Sequence, residues 1–156
     1  MALSRAGGWT IAIVVLLAAP TAWAISRVLT DDGGPIVLAG VRLGMTPADV
    51  RRSFVLASAG RFQSEPAATD FALAWSPLRP AGVESARFEF HESLLVAVRL
   101  RGTLGAIDAL EGPSFEQTPG SVLARNAASN MTDVIWLSRA CPTHANEVAR
   151  MLASRR

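Results

Sequence analysis

Two residue types able to do covalent or acid–base chemistry stand three apart near the C-terminus, Cys141 and His144. The segment beginning at Pro142, "PTHANEVARMLASRR", reads as a helix capped by Thr143, which places Cys141 at a helix N-terminus. That position lowers a thiol pKa, and a histidine one turn away could act as its base. The competing reading is a small packed side chain, because an unpaired Cys is among the most buried residue types. A metal site would draw on Cys141, His91 and His144, whose spacing matches no zinc pattern. Asn130-Met131-Thr132 matches a glycosylation acceptor, a triplet that also arises by chance. No nucleotide-cradling glycine loop, serine elbow or carboxylate pair is present in the chain. The expectation is therefore no catalytic residues, no metal and no cofactor.

The charge balance excludes another class. All 15 basic residues are arginine, set against 13 acidic ones for a formal charge of +2. Without a dense basic block this is a poor nucleic-acid footprint, so no nucleic-acid partner is expected. Cys141 is the only cysteine, so no internal disulfide can form.

Hydropathy points to the membrane. Half of the 156 residues are apolar and the mean hydropathy is +0.29. Residues 6–26 form a run of 21 without a charge, bounded by Arg5 and Arg27. As a helix it would extend roughly 31 Å, enough for a hydrocarbon core of about 30 Å. Trp9 and Trp23 near its ends suit the headgroup level, and Ile13, Leu16 and Leu17 lie between them. Arg5, an apolar stretch and Ala22-Trp23-Ala24 also have the layout of a cleavable secretion signal. Either reading exports the residues from about 29 onward. The expectation is a retained anchor (residues 1–28), a bacterial inner-membrane location with the N-terminus cytoplasmic, and a periplasmic domain. The bilayer itself would be its first partner.

The exported part must then fold. "TDDGGP" belongs to a linker, residues 29–39, and a domain occupies 40–156. Thr46 suits an N-cap, Pro47 the first helical position and Asp49 the first turn. Met45 and Val50 are spaced as a hydrophobic staple, and Val50, Phe54 and Ala57 share a face. Downstream the period becomes two. Phe71, Leu73 and Trp75 lie on one face of a strand, and Phe88 and Phe90 alternate with Arg87, Glu89 and His91. Leu94, Val96, Val98 and Leu100 alternate with Leu95, Ala97, Arg99 and Arg101. A short link at 91–93 makes the last two a hairpin. "AIDALEGP" reads as a brief helix, "SVLARN" and "DVIWLSR" as strands, and Ala145, Val148 and Leu152 as the apolar stripe of the final helix.

The predicted fold class is α+β: an N-terminal transmembrane helix, then an antiparallel sheet of three to five strands covered by two or three helices. On the sheet's outer face Arg87, Leu95, Ala97, Arg99 and Arg101 form a candidate partner surface, since apolar-plus-arginine strips are common interface material.

Gly40, Gly44, Met45, Thr46 and Val50, together with the hairpin Phe88–Val98, resemble the SmpA/OmlA (BamE-like) envelope domains over residues 40–101. That resemblance implies helices packed on a three-stranded antiparallel sheet, and a non-catalytic role in envelope complexes, including outer-membrane assembly. No cysteine lies near residue 24, so the lipid attachment of many members has no acceptor here. The functional expectation is a membrane-anchored accessory or scaffold subunit of a larger complex, respiratory, photosynthetic or outer-membrane assembling. The alternatives are a secreted periplasmic module that binds a small ligand or the envelope, and an enzyme built on Cys141.

Overall fold

The computed structural model describes residues 37–111 and 120–154. In chain order the elements are helix α1 (Pro47–Ser53), a 3-10 turn (Ala57–Ala59), strands β1 (Gly60–Pro66), β2 (Phe71–Pro77), β3 (Val83–His91) and β4 (Leu94–Thr103) and helix α2 (Leu104–Glu111). Strands β5 (Ser121–Ala128) and β6 (Met131–Ser138), a second 3-10 turn (Pro142–His144) and helix α3 (Ala145–Ala153) complete it. All six strands join one antiparallel sheet in the order β1-β2-β3-β4-β6-β5. The expected sheet of three to five strands is thus corrected to six, and the three-stranded sheet implied by the family resemblance with it. The added strand is β1, whose one large apolar residue, Phe62, gives almost no alternation to read. Among the described residues no helix is long and apolar enough to cross a membrane. The uncharged run with Trp9, Ile13, Leu16, Leu17 and Trp23 lies outside those residues, so the transmembrane helix of the expected fold is not part of the observed one.

Helix α1 begins as its sequence requires. The Thr46 hydroxyl accepts a hydrogen bond from the Asp49 amide, and Pro47 occupies the first turn. Val50 and the C-capping Phe54 point into the sheet and are buried. Phe54 meets Phe88, Trp75 and Phe62 edge-on, with ring centroids 5.0, 5.3 and 6.1 Å away, a geometry that aromatic quadrupoles favour. Leu38 and Val41 pair through a short bridge and are also fully buried. The packed domain therefore includes Leu38 and Ala39, which the sequence assigns to the linker.

Two glycines set close approaches in this layer. Gly40 has φ +84°, and a Cβ there would lie 2.2 Å from the Ser53 carbonyl oxygen. A Cβ on Gly60 would lie 2.2 Å from the Trp75 ring. The Gly40 glycine thus serves packing against the end of α1.

The β3–β4 hairpin turns on Glu92 and Ser93, both at positive φ (52° and 64°), the backbone of a two-residue type I′ turn. Its register shifts between Glu89 and Phe90: Glu89 faces Ala97 while Phe90 faces Leu95, leaving Val96 as the extra residue. This bulge moves Leu95 onto the core face, 1% exposed, where simple alternation places it outside.

A second, smaller core lies on the opposite face. Val148 and Met151 of α3 cover Ala97, Val122 and Leu137 of strands β4, β5 and β6. The stripe of α3 runs through Val148 and Met151; Leu152 is exposed.

Candidate functional site

The sheet register gathers the polar chemistry of this second face. Across the strands Glu65, Ala72, Glu89, Ala97 and Leu137 lie in one row. Gln63, Ala74, Arg87, Arg99 and Ile135 form the next. Strand β2 contributes only alanines to these rows. Arg87 on β3 can therefore lie across β2 and reach Glu65 on β1.

From there the charges alternate in sign. Arg87 Nε donates to Glu89 Oε1 at 3.3 Å, and Arg99 Nε donates to the same oxygen at 3.0 Å. Both terminal nitrogens of Arg99 donate to the Glu147 carboxylate of α3, at 2.8 and 2.7 Å. This is a forked pair, the geometry that makes arginine–carboxylate bonds directional. His144 Nε2 meets Glu89 Oε2 at 3.0 Å, and because an ionised carboxylate only accepts, Nε2 is the donor. The ladder Glu65–Arg87–Glu89–Arg99–Glu147, with His144 at its centre, ties β1, β3 and β4 to α3.

Burial makes the centre of this ladder consequential. The side chains of Glu89 and His144 are 10% and 6% exposed, those of Arg99 and Glu147 30% and 25%. Hydrogen bonding to His144, and then to Arg99, outweighs burial and holds the Glu89 carboxyl at about 2, below the ordinary 4.5. The Arg99 fork likewise lowers Glu147. In the unfolded chain these carboxyls protonate near their ordinary value, so between pH 4.5 and about 2 the unfolded state binds more protons. The contribution of Glu89 is whole above pH 4.5 and disappears as the pH falls toward 2. Stability at pH 3 is expected to be lower than at pH 7, with a share on the order of 3 kcal/mol from Glu89 once the fall is complete. Urea midpoints at the two pH values check this: Glu89→Gln should be less stable at pH 7 and show a shallower acid fall. An unchanged acid slope in that variant would exclude the ladder as its source.

The structure redistributes the residues singled out in the sequence. Arg87 and Arg99 are engaged in the ladder. Leu95 lies in the main core and Ala97 lies under α3, so these two apolar members of the expected strip are not exposed. Arg101 is exposed and pairs with Glu84 at 3.3 Å and Asp133 at 3.7 Å. Cys141 is buried, 3% exposed, and precedes a 3-10 turn; α3 starts four residues later, at Ala145. Cys141 is therefore not at the N-terminus of α3, and Thr143 sits within the 3-10 turn and does not cap that helix. His144 directs Nε2 at Glu89, while its buried Nδ1 has no hydrogen-bond partner. His91 lies at the far end of β3, 3.6 Å from Asp70. Among the described residues no three His, Cys, Asp or Glu side chains are placed to hold a metal ion.

Sequence reasoning missed Glu65, Glu89, His144 and Glu147 as a unit. Its one available signal was the pairing of Glu89 with two arginines on the face opposite Phe88 and Phe90. One concavity lies elsewhere. Pro77, Leu78, Pro80, Ala81, Val83 and Met131 line much of a groove of about 490 Å³ beside the β2–β3 connection. Leu78 is 57% exposed at its edge.

No protein-family model, curated protein or solved structure matches this chain.

Proposed function

We propose that this chain is a non-catalytic accessory subunit of a bacterial membrane protein complex. The uncharged run of residues 6–26 holds it at the inner membrane, with the folded domain on the periplasmic side. One observation carries the reading. The buried ionisable side chains that the fold gathers are engaged with one another, and they clamp α3 to the sheet instead of facing an open cleft. A catalytic site needs polar groups aimed at a space where substrate can sit. Among the described residues the large apolar side chains that remain exposed are Val55, Leu78, Leu104 and Leu152, none of them a ladder residue. Small domains of this kind serve larger assemblies by presenting a rigid surface beside the anchor.

The host is a respiratory, photosynthetic or outer-membrane-assembling complex, in keeping with the residues shared with the SmpA/OmlA pattern. The groove beside Leu78 favours a second reading, a periplasmic module that binds a small ligand. Extraction of native membranes in mild detergent, then affinity purification through a C-terminal tag, separates the two. The accessory reading expects integral-membrane subunits in stoichiometric amounts. Recovery of the chain alone would overturn it, and a small molecule retained by that monomer would establish the second reading.

A further inference from the structure

We infer that the outer face of α1 rests on anionic lipid headgroups. This inference stands on the membrane-anchored reading above and adds the orientation of the domain.

Charge is distributed unevenly along the chain. Between residues 37 and 64 there are four arginines and one aspartate, a formal +3, while the whole chain carries only +2. Two of those arginines share a face. Ala48, Arg51 and Arg52 are exposed on α1 while Val50 is buried, and Val55, two residues past the helix end, is exposed as well. Arg51 forms no ion pair among the described residues, and Arg52 pairs only with Asp49 while its side chain stays 74% exposed. Val55, 58% exposed, puts an apolar side chain just beyond the end of the helix. Arginines flanking an apolar contact suit an interface of acidic headgroups over acyl chains, where the long stems lie along the apolar region and the guanidinium stays with phosphate.

The position of this face identifies the lipid surface as its occupant. The Val55 amide donates to the Ala39 carbonyl at 3.0 Å, so the face adjoins the point where the chain enters the domain. Ten residues, 27–36, separate that entry from the uncharged run. Fully extended they span at most about 35 Å, and any bend brings α1 closer. Arg27, Asp31 and Asp32 give the link a net negative charge, so attraction to acidic lipid falls to the domain. A patch this small binds a bilayer weakly by itself. A tethered patch docks at a high effective concentration, which removes that obstacle.

The test uses the full chain with Val55→Cys, labelled with an environment-sensitive fluorophore. Cys141, 3% exposed, stays in place, and the unsubstituted chain reports its background labelling. The protein is reconstituted into vesicles of phosphatidylcholine alone or with added phosphatidylglycerol. Blue-shifted emission, quenched by spin-labelled lipid, is expected with phosphatidylglycerol only, and it should fade as salt shortens the screening length. Arg51→Ser with Arg52→Ser should lower the docked-to-undocked ratio by roughly tenfold. Amide exchange over residues 48–55 in the unsubstituted chain gives the same readout without a label. A label that stays in water on both vesicles, while the chain resists an alkaline wash, overturns the inference and leaves the anchor standing. A chain that washes off overturns both. Protection in native membranes but not in lipid vesicles also overturns it, and assigns the face to an acidic protein partner.

Discussion

Arg99→Met is expected to destabilise the domain by about 3 kcal/mol at pH 7. Arg99 is the only ladder residue that joins the sheet to α3 by a forked bond, and it also donates to Glu89. Without it Glu147 loses its partner at a side chain only 25% exposed. Glu89 keeps His144 and the longer bond to Arg87. Little else holds α3, since its buried apolar contacts are Val148 and Met151. The loss should therefore show first as faster amide exchange along Ala145–Ala153, then as a lower urea midpoint. Removing the charge on both sides tests the cause. Arg99→Met with Glu147→Met should be more stable than Arg99→Met alone, because apolar residues of similar size can replace a buried ion pair while a lone buried charge cannot be tolerated. A single-variant loss under about 0.5 kcal/mol would place the pair among surface ion pairs of negligible weight.

The same two faces explain what was legible in the sequence. Strands β2, β3 and most of β4 put their large apolar side chains on one side only, so their period of two survives in Leu73, Trp75, Phe88, Val98 and Leu100. Helix α1 was legible because its start is local: Thr46, Pro47, Asp49, Met45 and Val50 all act within one turn. What failed depends on partners distant in sequence. Strand β1 is an edge strand with Phe62 as its only large apolar residue, and it reads as a loop until Phe54 and Phe88 supply its contacts. The bulge at Val96 shifts the alternation by one residue, which turned Leu95 from a core residue into an apparent surface one. The stripe of α3 was misplaced for a related reason. The side chain preceding Val148 on its buried side is His144, which a hydropathy pattern counts as polar, and its partner Glu89 lies 55 positions away. Buried charge looks like surface in any one-dimensional pattern; only the alanines of β2 and the six-strand register turn it into a site.

Phe54→Ala is expected to be the more damaging substitution, with a loss of about 3–5 kcal/mol. Phe54 is 2% exposed and touches the rings of Phe62, Trp75 and Phe88 at once. These rings come from β1, β2 and β3, so they cannot close on the void without moving three strands. The aromatic contacts add to the loss of buried area. The effect should be uneven. Among the described residues strand β1 has no neighbour beyond β2, and its one large apolar side chain packs on Phe54, so its amides should exchange faster than those of β6 in the same variant. Phe54→Leu keeps most of the volume and should cost about 1–2 kcal/mol. Urea unfolding of the full chain in mild detergent gives the sums, and residue-level exchange gives their distribution. Equal acceleration in β1 and β6 would mean that the aromatic cluster stabilises the sheet as a whole. A loss below about 1 kcal/mol would mean that α1 is not anchored through Phe54. The expected pattern instead makes α1, through one aromatic side chain, the element that couples the chain's entry point to the free edge of the sheet.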